Sequence, residues 1–190
     1  MHDALIYIHG FNSSPASFKA RVLQDALAQR APAATFHAPA LPHSPAAAAS
    51  RLDELALKYP QAILAGSSLG GYYATWLAER HNLRAVLINP AVRPYELLEG
   101  HVGRQKNFHT GEEYEFTLDH VAELRVLEVA LITPQRYLLM VETGDEVLDY
   151  RLAVERYRGA RQLVIEGGDH GFGDFVDHME AVLAFLAAGA

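Results

Sequence analysis

Short apolar runs alternate with longer amphipathic stretches along most of this chain. Ala4–Ile8, residues 62–65, Arg84–Ile88, residues 136–141 and Arg161–Ile165 are dominated by Val, Ile, Leu, Ala and Tyr. Runs this short and this apolar predict strands buried on both faces. A weaker strand is predicted at residues 33–37. Between them, apolar residues at helical spacing predict helices. The first is expected to open at Pro15 with Ser14 as its N-cap, turning Phe18, Val22, Leu23 and Leu27 inward. Others are predicted at residues 46–59, with Leu52, Leu55 and Ala56 inward, and at 72–80, 150–157 and about 175–187. Residues 38–45 carry three prolines and read as loop. Alternating strands and helices imply right-handed crossovers and a parallel sheet covered on both faces. The expected class is therefore α/β, one domain over residues 1–190, with about six parallel strands flanked by helices.

One stretch breaks the alternation. Residues 91–130 mix polar and aromatic positions, show no strand pattern, and are too long for a plain connection. They are expected to form a small helical cap over the carboxyl edge of the sheet.

Composition narrows the function classes. The chain has 190 residues, 50% hydrophobic and 21% charged, with a net charge of −7. No Lys/Arg cluster stands out, which argues against nucleic-acid or anionic-membrane partners. There is no cysteine, so disulfides, thiolate metal sites and a cysteine nucleophile are excluded. The N-terminal residues 1–7 do not resemble a signal peptide, and no membrane span is expected. The apolar segment 181–190 is too short to span. A cytoplasmic location is the expectation. Ten scattered histidines without an H-x-x-x-H spacing make a zinc site unexpected, and no cofactor is implied. The oligomeric state is open, with a homodimer among the options.

Gly66-x-Ser68-x-Gly70 lies between the strand at 62–65 and the helix that follows, the strand–turn–helix context of a nucleophile elbow. A turn this tight strains the backbone at Ser68, and a side chain two positions to either side would collide with neighbouring backbone. On its own the pattern also fits an ordinary glycine-rich turn. Three more strand ends sharpen it. His9-Gly10-Phe11, Asp145 and His170 each follow a strand, so all can meet Ser68 on one edge of a parallel sheet.

The chemistry assigns roles. A serine hydroxyl needs a base. His170 is the candidate, and a carboxylate must orient its imidazole. Asp145 is the preferred acid. Asp149 is the alternative, although it reads better as the N-cap of the helix at 150–157. Asp169 is expected to point away. An oxyanion would need two N–H donors, expected from Leu69 and Phe11. His9 is expected to shape the loop, His37 and His43 to be exposed, and Trp76 to be a core or cap contact. Asn12, Tyr72 and Phe108 are the expected substrate contacts.

At these residues the chain resembles the α/β-hydrolase superfamily, and more closely the small bacterial YqiA-type esterases. The resemblance rests on Tyr7-Ile8-His9-Gly10-Phe11-Asn12-Ser13-Ser14, Gly66-Ser67-Ser68-Leu69-Gly70-Gly71-Tyr72-Tyr73-Ala74, Ile88-Asn89-Pro90-Ala91-Val92-Arg93-Pro94, Thr143-Gly144-Asp145-Glu146-Val147-Leu148-Asp149-Tyr150 and Gly167-Gly168-Asp169-His170. It spans nearly the whole chain and is weakest at residues 100–128. It implies a hydrolase sheet lacking the first two strands of larger enzymes, with Ser68 as nucleophile, His170 as base and Asp145 as acid, acting on a small-molecule ester or thioester. The apolar Phe11, Tyr72, Leu97, Phe108 and Phe116 point to a short or medium acyl chain. Acyl transfer or C–C hydrolysis on the same scaffold, or a non-catalytic protein-interaction module, are the rival readings.

Overall fold

The computed structural model describes residues 4–188. Met1, His2 and Asp3, on which the signal-peptide reading partly falls, lie outside the described residues, as do Gly189 and Ala190. Six parallel strands form one sheet. They are β1 (Ala4–Ile8), β2 (Thr35–His37), β3 (Ile63–Ser67), β4 (Arg84–Ile88), β7 (Tyr137–Glu142) and β8 (Arg161–Ile165). Their order across the sheet is β2-β1-β3-β4-β7-β8. The helices are α1 (Phe18–Arg30), α2 (Pro45–Lys58), α3 (Leu69–His81), α4 (Pro94–Leu98), α5 (Leu118–Val126), α6 (Tyr150–Arg156) and α7 (Met179–Ala187).

The pleat divides the apolar strands between two cores. Ile6, Ile8, Leu64, Leu87, Leu139 and Val141 face α2, α3, α5 and α6. Their neighbours Leu5, Tyr7, Ile63, Val86, Ile88, Leu138 and Met140 face α1 and α7. Burial on both faces explains why these strands lack polar alternation. The edges differ, because β2 and β8 carry exposed positions at Thr35 and Arg161.

Some element boundaries differ from the expectation. Helix α1 starts at Phe18 and is capped by Ser17, not by Ser14. The Ser14 hydroxyl is taken by Ala16 N–H. The Ser17 hydroxyl donates to the buried Tyr7 Oη at 3.1 Å and accepts from Ala20 N–H. A tertiary partner therefore selects the cap. With the start shifted, Phe18 is 43% exposed, and Ala20, Leu23 and Leu27 form the buried face. Helix α3 begins three residues before the expected Tyr72, because Gly70 and Gly71 are weak helix formers that packing recruits.

The segment 91–130 is not purely helical. Helices α4 and α5 flank an antiparallel hairpin of β5 (Gly103–Lys106) and β6 (Glu113–Phe116). Its strands read Gly-Arg-Gln-Lys and Glu-Tyr-Glu-Phe, too polar to signal a strand, because one face meets solvent and the other meets a loop. Asn107 closes the turn. Its Oδ1 accepts from His109 and Thr110 N–H at 2.9 Å each, and Gly111 supplies a positive φ of 73°.

The turn from β3 to α3 leaves no room for side chains. A Cβ on Gly70 would overlap the Ile8 carbonyl, and one on Gly66 would overlap the Gly70 carbonyl. Replacing Gly70 with Ala is expected to cost about 3 kcal/mol or more in urea denaturation, because backbone on both sides must move. Gly100→Ala, with nothing within 4 Å of the added carbon, is the control and is expected to stay within about 0.5 kcal/mol.

Candidate functional site

Ser68 sits between β3 and α3 with φ 56° and ψ −122°, a conformation costing on the order of 1–3 kcal/mol for a residue with a side chain. Three hydrogen bonds over-determine it. Its N–H donates to Ile88 O at 3.1 Å, and its carbonyl accepts from Gly71 N–H at 2.9 Å and Ala91 N–H at 3.0 Å. The close approach of Gly70 to β1 and of Gly71 to Pro90 holds the turn from either side.

His170 Nε2 lies 3.1 Å from Ser68 Oγ, and His170 Nδ1 lies 2.8 Å from Asp145 Oδ2. The Asp145 side chain is 2% exposed. Burial alone would raise its carboxyl. The His170 hydrogen bond and the Leu148 and Val147 N–H groups outweigh burial and hold it below the usual carboxylate range. An ionised Asp145 can only accept, so His170 Nδ1 carries the hydrogen and Nε2 is free to accept from the serine. Asp149 is elsewhere, capping α6 through Arg151 N–H and pairing with the Arg151 side chain.

The loops carrying these groups are tied together beneath them. Thr143 N–H donates to Ile165 O at 2.8 Å and Gly144 N–H to Gly167 O at 2.7 Å. Asn89, 2% exposed and at φ 41°, spans both loops. Its Oδ1 accepts Glu142 N–H at 3.0 Å, and its Nδ2 donates to Asp169 O at 3.0 Å. Glu146 Oε2 accepts His170 N–H at 3.0 Å. Asn89, Glu142 and Glu146 were not singled out from sequence, since a lone polar residue after a strand looks like any loop residue. Asn89 and Glu146 enter the sequence reading only as members of the stretches that carry the family resemblance, with no role attached.

The loop after β1 lies against Ser68. A Cβ on Gly10 would sit 3.2 Å from Ser68 Cβ. Leu69 is the first residue of α3, so helix geometry gives its N–H no partner within the helix. His9 is buried, with Nε2 accepting Leu41 N–H at 3.4 Å and Nδ1 against Gly10 O at 3.0 Å. Burial, chiefly, lowers its basicity, and a neutral ring bridges the two segments.

The three expected substrate contacts are placed differently. Asn12 is buried at φ 53° and committed to the hairpin. Its Nδ2 donates to Gln105 Oε1 at 3.1 Å, its Oδ1 accepts from Tyr114 Oη at 2.7 Å, and its carbonyl accepts Phe108 N–H at 3.0 Å. Asn107 Nδ2 adds a bond to Ser13 O at 2.9 Å. Phe108 is 82% exposed on the hairpin turn. Tyr72 Oη donates to Leu124 O at 2.8 Å, and its ring lines a cavity of about 310 Å³ between α3 and α6 that Ser68, Asp145 and His170 do not border. Phe11, the residue after Gly10, packs its ring edge-on to Phe116 at 5.3 Å and Tyr114 at 6.5 Å. His43, expected in solvent, is half-buried and stacks on Tyr114 at 3.6 Å. His37 is likewise half-covered, against Tyr59. Trp76 packs at the core margin, with Arg80 over its ring. Among the described residues, no group of three His, Asp or Glu side chains is placed to hold a metal ion, and no helix is long and apolar enough to cross a membrane.

Sheet order, elbow and the three strand-end loops together define the α/β-hydrolase fold. Solved structures agree. Mouse alpha/beta hydrolase domain-containing protein 10 superposes with a TM-score of 0.71 at 15% identity, over 97% of this chain and 90% of that one. Est1E from Butyrivibrio proteoclasticus, with ferulic acid bound, gives 0.70 at 14% identity over the same shares. Within that fold, the chain belongs to the family described as "Uncharacterised protein family (UPF0227)", whose model matches residues 4–187. A UPF0227 protein of Citrobacter koseri is 28% identical over 97% of this chain and 99% of its own length.

Two outcomes follow from these contacts. Tyr114→Phe, which deletes the donor to Asn12, is expected to cost about 1 kcal/mol of stability by urea denaturation. Asp145 has a depressed pKa in the folded state, so it contributes stability above its unfolded value, lost as pH falls through the folded one. Thermal melts of Asp145→Asn are therefore expected to lose less stability than wild type on acidification below about pH 4.

Proposed function

We propose that this protein is a serine hydrolase of small carboxylic esters or thioesters, acting through an acyl-enzyme. The observation that carries the reading is the continuous chain from Ser68 Oγ through His170 to Asp145, anchored on a strained serine that ordinary folding would not retain.

His170 Nε2 takes the serine proton as Oγ bonds to the acyl carbon. Asp145 keeps the proton on Nδ1 and stabilises the imidazolium. The oxyanion is held by Leu69 N–H at the start of α3 and by Phe11 N–H, and each such donor is worth about 3 kcal/mol. The tetrahedral adduct collapses, and His170 delivers its proton to the leaving alcohol or thiol. A water attacks the acyl-enzyme with the same histidine as base, and the acid departs. No cofactor is required. The apolar Phe11–Phe116 ring pair, which starts one residue after the Gly10 that lies against Ser68, supports a short or medium acyl group. That Est1E binds ferulic acid, a carboxylic acid, on the same fold is in keeping with an acid product.

The test is a fluorophosphonate label, followed by a screen of p-nitrophenyl esters and acyl-CoA thioesters of graded length. Ser68→Ala and His170→Ala are expected to lose labelling and at least about a thousandfold in kcat. Asp145→Asn should fall by about 10³–10⁴-fold, and Asp149→Asn should remain near wild type. Labelling that persists in Ser68→Ala overturns the mechanism.

A further inference from the structure

Glu142 ends β7 inside the protein, 1% exposed, and the mechanism above makes no use of its side chain. Its Oε2 accepts Asp169 N–H at 2.9 Å, one residue before His170. Its carboxyl fills the space that a side chain at Gly168 would need, and Gly168, at φ 72°, leaves that space open. Asp174 is within hydrogen-bond reach of the same carboxyl. Asp174 Oδ1 is buried, and no donor among the described residues reaches it. Its Oδ2 lies 3.3 Å from His178 Nε2. Two ionised carboxylates are acceptors only, and they repel where the buried Asp174 Oδ1 faces the buried Glu142 carboxyl. The pair is satisfied if one of them is a donor.

We propose that Glu142 carries a proton that it donates to Asp174 Oδ1 while Oε2 holds Asp169 N–H, and that this acid-to-acid bond positions the segment bearing His170. The inference rests on the reading of His170 as the catalytic base. Glu142 is the protonated partner because it is the more buried of the two, whereas His178 stands beside Asp174 and favours its charge. Burial first, then the Asp174 and Asp169 carboxylates, push the Glu142 carboxyl above the ordinary carboxylate range, against the pull of the Asp169 N–H. The remaining charged groups around the pair are Asp145, on the loop after β7, and Lys19 from α1. The Lys19 ammonium donates to Gly171 O at 2.5 Å and is attracted to Asp169, Glu142 and Asp145. Glu142 is thus a positioning residue, connected to the chemistry through Asp169 and His170.

Glu142→Gln and Glu142→Leu test this. Glutamine copies the protonated acid, since its carbonyl can accept Asp169 N–H and its amide can donate to Asp174. Leucine does neither. With a pKa raised on folding, wild-type Glu142 contributes most below its unfolded value of 4.5, and its contribution declines as pH rises towards the folded value. Melts on a Ser68→Ala background should therefore show Tm of Glu142→Gln gaining on its parent as pH rises above that value. The low-field proton resonance of the His170–Asp145 bond should persist in the Gln variant and vanish in the Leu variant. On the active background, kcat is expected within about threefold of wild type for Gln and about 10- to 100-fold lower for Leu. A Tm difference that does not move with pH, or a Gln variant as damaged as Leu, overturns the proposal. The melts and the resonance need no turnover. If wild type hydrolyses no ester while both behave as expected, the hydrolase reading fails and the shared proton stands.

Discussion

The contact between Gly70 and the Ile8 carbonyl is the constraint on which the rest depends. It brings α3 hard against the end of β1. With α3 so close, the chain leaving β3 has a single residue in which to reverse, and Ser68 takes a positive φ. The same closeness lays the Gly10 loop beside Ser68. A serine with a raised hydroxyl, a helix start with free N–H groups and a neighbouring loop backbone are thus three results of one packing decision. The two glycines make it sterically allowed, and the strands beneath, buried on both faces, make it stable.

Two sets of cross-ties convert that turn into a defined arrangement. On one side, Asn89 reaches from the end of β4 to the last residue of β7 and the loop after β8, so that Asp145 and His170 are held in common although 25 residues separate them. On the other, Asn12 and Asn107 stitch the loop after β1 to the β5–β6 hairpin. Both Asn12 and Asn89 adopt positive φ, which asparagine tolerates better than most residues. Each combines an unusual backbone with a side chain that bonds to a second loop. The hairpin therefore braces the loop nearest Ser68 and does not merely cover it. The side chains first expected to meet substrate are instead engaged in that bracing or stand away from Ser68.

Much of this was legible along the chain. The six sheet strands announce themselves as apolar runs because both faces are buried, and the loops after β1, β3, β7 and β8 declare themselves because Gly, Ser, Asp and His interrupt apolar sequence abruptly. The segment 91–130 was less legible for a physical reason. Gln105 and Tyr114 face inward against the polar Asn12, β5 has no apolar position at all, and the alternation of β6 is only four residues long, too short to stand out. The start of α1 was hidden in the same way, since Ser14 and Ser17 are equivalent as local caps and the buried Tyr7 hydroxyl decides between them.

By itself, the sequence determined the α/β class, the six strands of the main sheet, the glycine-flanked turn at Ser68 and the order in which Asp145 and His170 follow it. Those depend on local properties: apolar runs, glycines at fixed offsets and loops placed after strands. Tertiary structure alone decided which carboxylate meets His170, that Asn12 faces the hairpin, that Phe108 faces water, and that Glu142 is buried beside Asp174. These are outcomes of contacts between segments far apart in the chain. A side chain's spacing along its own element fixes the face it occupies but not which distant atom it meets.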